Sequence, residues 1–472
     1  MQLFREGLDV VNVGLAGFGD NIRQAGGTAT NLDWRPPAGG DAEAGLDLAR
    51  LVRRTEVERA NERAFGRYLE ARPVLTDVVT AGDVLPGMAG RRLILHSGPP
   101  IAWPEMCGPA QGAIVGAILY EGWAADPGAA YALAASGDIG FAPAHEHAAV
   151  GPMAGVISPS MPLWAVENAT AGNVAYSNFN EGLGKVLRFG ANSPEVLDRL
   201  RWMGTELAET LRAGVRELGG LELQPLMAQA LHMGDEVHNR NAAATGLLLK
   251  KLLPALLAAD PAGPALRRSV EFVTGNDHFF LNLSMAACKS MLDAAHGVPH
   301  SSMVTAMARN GVNFGIRVSG TGDRWFQRPA NPVDGLFFPG YGIDDAAADL
   351  GDSAITETAG LGGFAMAASP AIVQFVGGTP ADATRHSRRM RTITLGTNGQ
   401  FTLPATNFGA TAAGIDVRAV ADTGVLPVIN TGIAHKQAGV GQIGAGVTTA
   451  PLGCFTQAIS ALAADLGTEA AA

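Results

Sequence analysis

Residues that could bind and transfer a small anionic group are concentrated in four glycine-rich segments of this chain. The first segment contains Glu181, Lys185 and Arg188, with Gly182 and Gly184 before the lysine. Glycine-rich turns expose backbone N–H groups that bind anions, and an arginine can bind a carboxylate through two parallel hydrogen bonds. We therefore predict an anion-binding turn here. The alternative is that Glu181 and Lys185 form an (i, i+4) pair on the surface of a helix.

The second segment, residues 307–326, carries Arg309, Asn310 and Arg317 in apolar surroundings. Arginines that are buried in so apolar a stretch need anionic partners. The segment therefore predicts a clamp for an anionic ligand. The alternative is structural ion pairing with some of the acidic residues of the chain.

The third segment places Asp352 and Glu357 just before a run of glycines. A polar residue followed a few positions later by an acid is typical of a capping box at the start of a helix. The pattern predicts that Asp352 or Ser353 caps a helix and that Thr356 or Glu357 closes the box. The alternative is a carboxylate that acts as a base or a metal ligand.

The fourth segment brings His435 and Lys436 next to a series of glycines. A histidine can move protons near neutral pH, and a lysine can hold a phosphate as a point charge. We predict a proton-transfer role for His435 and anion binding for Lys436. The alternative for His435 is a structural role.

Other histidines give weaker patterns. His145 and His147 form an HxH pair, but two ligands fall short of the three that a catalytic zinc needs. His238 lies in "HMGDEVHNR", which is not HExxH. Met233, Asp235 and Glu236 could line a cleft from a helix, and the alternative, which we favour, is a solvated face. We find no serine-elbow motif and no Walker A lysine motif. The sequence thus predicts no metal and no cofactor.

Both helices and strands are predicted to position these segments. Residues 9–34 read as strand, helix and strand, a βαβ opening of Rossmann type whose glycine spacing is not the dinucleotide-binding GxGxxG. Residues 195–300 have apolar positions at helical spacing, and the helical pattern runs on through "LMAQALHMGDEVHNRNAAATGLLLKK". "FGIRVSG", "AIVQFVGG" and "TITLGTNGQFTLP" read as strands of a later, glycine-rich region.

We therefore predict a multi-domain α/β fold with an N-terminal Rossmann-like βαβ unit, a helical subdomain and a glycine-rich C-terminal α/β region. The predicted divisions are a Rossmann-like α/β domain with a helical linker (1–130), the first part of a central α/β domain (131–200), the helical subdomain (201–300) and the C-terminal α/β domain (301–472).

Composition narrows the class of protein. The chain has 472 residues, of which 47% are hydrophobic, and a net charge of −10, which argues against a nucleic-acid binder. Its three cysteines are widely spaced and form no CxxC pair, so we expect a reducing, cytoplasmic setting. We see no signal peptide and no uninterrupted apolar stretch of membrane-spanning length, so no membrane association is expected.

Several blocks of the chain resemble a bacterial family of YlbE-like proteins, also called AllG. They include "NFNEGLGKVLRFG", "QALHMGDEVHNRN", "TAMARNGVNFGIRVSG", "GDSAITETAGLGG" and "INTGIAHKQAGVGQIGAG". The resemblance runs from about residue 90 to residue 465. His147 does not match the family's pattern, which weakens the HxH metal hypothesis further.

The resemblance implies a subunit of oxamate carbamoyltransferase in allantoin degradation, a branch of purine catabolism. Oxalurate and phosphate would give oxamate and carbamoyl phosphate, with an FdrA-like subunit and a third small subunit as partners in an oligomer. On this basis we hypothesise that His435 or Glu181 handles protons. The anion and substrate candidates within the family blocks are Lys185, Arg188, Arg309, Asn310, Arg317, Asp352, Glu357 and Lys436. The alternatives are a non-catalytic scaffold subunit and a stand-alone amidohydrolase of ureido acids.

Overall fold

The computed structural model describes residues 9–32, 34–260 and 263–469. These residues form a mixed α/β protein with several small sheets. Residues 1–8, 33, 261–262 and 470–472 lie outside the described residues, and so do the corresponding parts of the predicted βαβ unit and domains.

Helices make up much of the described chain. They are α1 (Ala16–Gln24), α2 (Ala42–Leu51), α3 (Thr55–Leu69), α4 (Ala81–Val84), α5 (Gly108–Tyr120), α6 (Pro127–Ser136), α7 (Pro194–Trp202), α8 (Ala208–Leu218), α9 (Leu223–His232), α10 (Ala242–Ala259), α11 (Pro264–Thr274), α12 (Leu281–Ala294), α13 (Ile355–Thr358), α14 (Val373–Val376), α15 (Pro380–Arg389), α16 (Val417–Thr423) and α17 (Leu452–Glu469).

The strands pair mostly in antiparallel fashion. They are β1 (Asp9–Val13), β2 (Thr28–Leu32), β3 (Pro73–Thr80), β4 (Leu93–His96), β5 (Gly140–Pro143), β6 (Ala149–Val150), β7 (Pro162–Asn168), β8 (Val174–Asn178), β9 (Leu221–Glu222), β10 (Val304–Asn310), β11 (Asn313–Val318), β12 (Phe326–Pro329), β13 (Asp334–Phe337), β14 (Leu350–Gly351), β15 (Thr394–Leu403), β16 (Gly409–Ile415), β17 (Val428–Ala434) and β18 (Gln442–Thr449).

The predicted N-terminal strand–helix–strand order is confirmed. β1 and β2 pair in parallel, from Asp9 opposite Thr28 to Val13 opposite Leu32, and α1 joins them. In the described part of the chain these two strands form a sheet of their own. After β2 the chain enters a proline-containing turn and two helices, not a third parallel strand, so the extended sheet of a Rossmann domain is not built.

The central sheet has the strand order β6-β8-β7-β3-β9, and α8 and α12 pack on it. α12 is buried along most of its length because its small and apolar residues face neighbours on all sides. Trp164 of β7 lies 4.6 Å from Phe179 and 5.9 Å from Phe279 between ring centroids. Such aromatic contacts stabilise the core beyond the area that they bury.

Two further sheets position candidate site residues. One has the order β12-β11-β10-β14, and every residue of β10 is buried, including Arg309. α17 packs against its strands β11 and β12. The other has the order β13-β18-β17, in which β17 is also fully buried.

One helix, α10, is long and apolar enough to cross a membrane when judged by length and composition alone. In this structure α10 packs against α8, α9 and α11 and buries Leu247, Leu248, Leu252 and Leu256. Its Lys250 and Lys251 are exposed. These contacts are those of an amphipathic core helix.

The largest apolar cluster joins buried residues from Ala60 to Ala413. The predicted domains therefore contribute to a shared core, and the domain boundaries given above stay predictions. Among the predicted strands, "FGIRVSG" falls on β11 and "TITLGTNGQFTLP" on β15, which confirms both. The prediction for "AIVQFVGG" is wrong, because this stretch forms the short helix α14 that ends at Gly377 with φ +86°.

Candidate active site

Three carboxylates in one segment, Asp349, Asp352 and Glu357, reach three different parts of the molecule. The segment begins at Asp349, directly before β14, passes through α13 and ends in the glycine run at 360–363. Asp349 meets β10, Asp352 meets two backbone N–H groups from earlier loops, and Glu357 meets the loop between α9 and α10. The capping-box prediction is wrong, since α13 begins after Ala354 without a side-chain cap.

Glu357 holds the imidazole of His238. Its Oε1 lies 2.8 Å from Nδ1 of His238 and also accepts the backbone N–H of Gly363 at 2.8 Å. Its Oε2 accepts the hydroxyl of Thr356 at 3.0 Å, and both partners of the pair are buried. Because a carboxylate only accepts, the histidine proton lies on Nδ1. Nε2 of His238 is then the nitrogen that can take up or release a proton for a ligand.

A glycine makes this pair possible. A Cβ added at Gly362 would lie 2.2 Å from Oε1 of Glu357 and 3.1 Å from Cβ of His238, and Gly362 has φ +53°. Neither the space nor the backbone conformation suits a side chain there.

Two acidic residues hold the loop that carries His238. Oδ2 of Asp235 accepts the N–H of Ala244 in α10 at 2.9 Å. Oε1 of Glu236 accepts the backbone N–H groups of His238 at 3.2 Å and Arg240 at 2.9 Å, and also that of Asn239. Within the part of the chain that the structure describes, Oε2 of Glu236 has no hydrogen-bond partner. Burial raises the pKa of Glu236 to about 7.

The residues that follow His238 line a cavity of about 350 Å³. Two of its lining groups, Nδ2 of Asn239 and Oδ1 of Asn241, are buried and have no hydrogen-bond partner among the residues described. Buried amide groups are normally paired, so a small polar ligand would satisfy them. The cavity is lined by Asn239, Arg240, Asn241, Ala242, Asp277, His278, Ala371 and Gln374.

His278 is another residue that lines the cavity. Its pKa is lowered to about 4, first by burial and then by the charges of Arg188 and His238. At neutral pH the ring is therefore uncharged and can donate or accept a hydrogen bond. The charge of Arg188 therefore acts on His278 in the cavity wall.

Arg188 and Glu181 belong to a buried turn. The Glu181 carboxylate accepts the N–H groups of Leu187 at 2.8 Å and Arg188 at 3.1 Å, and burial raises its pKa. Arg188 donates from Nη2 and Nε to the carbonyl of Gly182 at 2.6 and 3.2 Å. Lys185 is exposed on the same turn. The interpretation of Glu181 and Lys185 as a surface pair on a helix is wrong, because this segment is not helical.

Arg309 is held entirely within the protein. It makes a bidentate ion pair with Asp349, at 2.7 Å from Nε and 3.1 Å from Nη2. Its remaining N–H groups reach the carbonyl of Gly351 and the hydroxyls of Ser353 and Thr431 at 2.8, 3.4 and 3.1 Å. All of its donors are thus used. This geometry matches the alternative of a structural ion pair.

The other predicted residues have local partners. Asn310 accepts the N–H groups of Val312 and Asn313 and donates to the carbonyl of Pro99 at 3.0 Å, so it closes a turn. Nδ1 of His435 accepts the N–H of Gln437 at 2.9 Å. The exposed Lys436 donates to the carbonyl of Asp344.

Arg317 and Asp352 lie in a second polar cluster. Asp352 accepts the backbone N–H groups of Gly98 and Gly151 at 2.8 and 3.0 Å, and burial raises its pKa to about 7. Arg317 is buried and pairs with the exposed Asp323. Over the described ranges, no group of three or more His, Cys, Asp or Glu side chains is arranged to hold a metal ion.

Sequence reasoning selected none of His238, Glu236, Asn241 and His278 as site residues, because it predicted a continuous helix with a solvated face through this region. The structure breaks that helix at Gly234, where φ is +100°, and at Val237, where φ is +65°. Gly234 was the available signal, since an isolated glycine in a helical pattern can mark a helix end.

Fold and site together define an α/β protein with an imidazole–carboxylate pair beside a cavity suited to a small polar ligand. The chain belongs to the AllG family. It is 47% identical to the oxamate carbamoyltransferase subunit AllG of Escherichia coli (strain K12) over 415 residues, which are 88% of this chain and 99% of that protein. The family model described as oxamate carbamoyltransferase subunit AllG matches residues 139–353.

Two other similarities cover most of the chain. The uncharacterized protein YahG of the same organism is 48% identical over 461 residues, which are 97% of this chain and 98% of that protein. A crystal structure of a conserved protein of unknown function from Enterococcus faecalis V583 is 48% identical and has a TM-score of 0.85. That similarity covers 86% of this chain and 98% of the solved one.

Proposed function

We propose that this chain is a subunit of a cytoplasmic carbamoyltransferase that moves a carbamoyl group between a ureido acid and phosphate. The observation that carries the proposal is the His238–Glu357 pair beside the polar cavity, in a chain of the AllG family. Oxalurate is the proposed ureido acid, and the products are oxamate and carbamoyl phosphate. The proposed partners are an FdrA-like subunit and a third small subunit.

The chemistry needs one proton to change place. A phosphate oxygen attacks the ureido carbonyl carbon of oxalurate. A bond forms between this carbon and the phosphate oxygen, and the bond between the carbon and the oxamate nitrogen breaks. Monohydrogen phosphate loses a proton and the departing oxamate nitrogen gains one. Nε2 of His238 would accept the first proton and deliver it to the nitrogen, while Glu357 stabilises the imidazolium.

Both reactants are anions, and the tetrahedral intermediate carries an oxyanion. Arg188 and Arg240 supply positive charge near the cavity, and the uncharged His278 supplies a hydrogen bond. The unpaired amides of Asn239 and Asn241 suit the amide groups of a ureido acid. In this proposal Glu181 positions the turn that carries Arg188, and Lys185 stands at its exposed rim.

The loop after β17 packs against that turn. A Cβ at Gly441 would lie 3.0 Å from the carbonyl oxygen of Gly184. His435 and Lys436 precede this contact on the same loop. In this proposal His435 and Lys436 shape the anion-binding turn. The group that transfers the proton is His238, not His435.

The proposal is tested by assaying oxalurate cleavage with the isolated chain and with the chain plus its partners, each with and without phosphate. We expect oxamate only when phosphate and the partners are present. Turnover by the isolated chain without phosphate would instead support the amidohydrolase alternative.

A second comparison in the same assay distinguishes a scaffold role from a catalytic role for this chain. If the complex keeps full activity when His238 and the cavity residue Asn241 are replaced, the chain only completes its partner's site. The matched control is His232→Gln, because His232 is exposed and contacts Thr402 away from the cavity.

A further inference from the structure

We propose that His145, Lys289, His296 and Arg317 form a second, buried site for a small oxyanion, separate from the cavity beside His238. The four side chains come from four elements. His145 lies in the turn after β5, Lys289 on α12, His296 just after α12 and Arg317 on β11. No residue of this site lines the cavity described above.

Unpaired buried nitrogens of imidazole and guanidinium groups carry this proposal. Neither ring nitrogen of His145, which is 2% exposed, has a hydrogen-bond partner within the described residues. The same holds for Nε of Arg317 and Nε2 of His296. Buried polar groups are nearly always paired with protein, water or ligand. Nε of Arg317 is a donor that needs an acceptor, and each neutral imidazole also carries one N–H donor, so a ligand oxygen would satisfy buried donors of this cluster.

The groups are neighbours. Trp325 joins two of them, with its ring 5.8 Å from that of His145 and 5.8 Å from the guanidinium of Arg317. The Lys289 ammonium donates to the backbone carbonyl of His145 at 3.2 Å. The charges of Lys289, Arg317 and His296 all lower the pKa of His145, after the larger effect of burial.

Lys289 and Arg317 favour an anionic ligand over a cation. Lys289 is paired with Asp293 at 2.5 Å, and Asp352 lies 3.7 Å from Nε2 of His145. Asp352 is already engaged by two backbone N–H groups, so it leaves the imidazole without a close acceptor. A cation would meet the lysine and the arginine, whereas an oxyanion would pair with both and with the rings.

An exposed carboxylate marks the entrance to the site. Asp323 has a side chain that is 92% exposed, and it pairs with Nη2 of Arg317, which is 6% exposed. The same Asp323 carboxylate lies 3.8 Å from Nε2 of His296. It thus pairs with one of the four groups and lies near a second on the solvent side, in the position that an oxygen of an entering oxyanion would take. A ligand would displace Asp323 from Arg317.

The ligand is therefore a small oxyanion with several acceptor oxygens, of which inorganic phosphate and a planar carboxylate are the two sources. This inference stands apart from the proposed reaction, because it depends only on the unpaired groups. Titration calorimetry on the full chain with inorganic phosphate, and separately with oxamate, distinguishes the two sources. Saturable binding of either one that depends on Arg317 supports the site.

Two variants make the test specific. Asp323→Asn removes the competing carboxylate from an exposed position and should tighten binding by about tenfold. Arg317→Met should remove the binding, while Arg324→Met, on the exposed neighbour that pairs with Asp465, should leave it unchanged. Because Asp323→Asn alters an exposed side chain, it keeps the test decisive even if Arg317→Met fails to fold.

The outcomes separate this site from the proposed active site. His238→Gln should leave the Arg317-dependent binding unchanged whatever it does to turnover. The inference is overturned if neither probe binds, if Asp323→Asn does not tighten binding, or if Arg317→Met binds with the affinity and stoichiometry of the parent chain.

Discussion

The Nδ1 nitrogen of His238 lies 2.8 Å from Oε1 of Glu357, although 119 residues separate the two in the chain. Both side chains are buried, and the four residues after His238 all line the cavity. An imidazole oriented in this way by a carboxylate is suited to general acid–base catalysis.

Glu357→Gln should lower kcat about a hundredfold with little change in KM. The amide keeps the size of the side chain but no longer selects the tautomer with the proton on Nδ1, nor does it stabilise the imidazolium. Steady-state kinetics of the reconstituted complex and its pH–rate profile measure this. A variant that merely loosened the fold would lower the melting temperature instead and leave the shape of the pH profile unaltered.

Gly362→Ala should reduce activity because a Cβ would stand 2.2 Å from Oε1 of Glu357 and the backbone has φ +53°. We expect a loss of at least about tenfold in kcat, since the carboxylate must shift away from His238. The matched control is Gly246→Ala in α10, where a Cβ meets nothing within 4 Å. Equal activity of both variants would contradict the assigned geometry.

The contribution of Glu236 to the free energy of unfolding should fall as pH rises from about 5 to about 7. Burial raises the pKa of Glu236 from 4.5 to about 7 in the folded chain, so the unfolded chain ionises first and gains an advantage through this window. Each unit of pKa difference corresponds to about 1.4 kcal/mol. Glu236→Gln, which keeps an acceptor for the three backbone N–H groups, should weaken this pH dependence.

Thermal unfolding at a series of pH values checks this prediction. The exposed Glu217→Gln serves as the control and should unfold with the pH dependence of the parent chain. Asp352, whose pKa is also raised to about 7 by burial, accounts for dependence that remains in the Glu236 variant. An identical pH profile in parent and Glu236→Gln would show that Glu236 is ionised throughout.

Arg309→Met should destabilise the fold by about 3–5 kcal/mol, because it leaves Asp349 as an unpaired buried charge. Chemical denaturation of the isolated chain measures the loss. Arg267→Met offers a matched control, since Arg267 pairs with Glu271 on an exposed helix face, and it should unfold almost as the parent does.

The sequence predicted helices and strands correctly where the spacing of apolar residues fits either a helix or a strand, but not both. The alternation in "FGIRVSG" predicts β11, and the spacing of the apolar residues after Pro194 predicts α7 and α8. The prediction was wrong for "AIVQFVGG", because a short apolar run fits a strand and a helix equally well. It was also wrong at Gly234, where it continued a helix that the structure interrupts. Short apolar runs do not determine the element by periodicity alone.

The candidate site was harder to predict because its contacts join distant parts of the chain. Asp352 accepts hydrogen bonds from residues 254 and 201 positions away, and these replace the helix cap that its neighbours suggest. The glycine-rich turn around Arg188 allowed the sequence to predict that residue as a site candidate. His238 becomes a candidate only through its contact with Glu357, which is distant in the sequence. No local pattern encodes that pairing.

The most direct test of the account is the rate of phosphate-dependent oxamate release from oxalurate by the reconstituted complex carrying His238→Gln, compared with His232→Gln. We predict a loss of at least about a hundredfold for the first, since general acid–base groups contribute 10²- to 10⁴-fold, and full activity for the second. Full activity of the His238 variant would contradict the assignment of proton transfer to this chain.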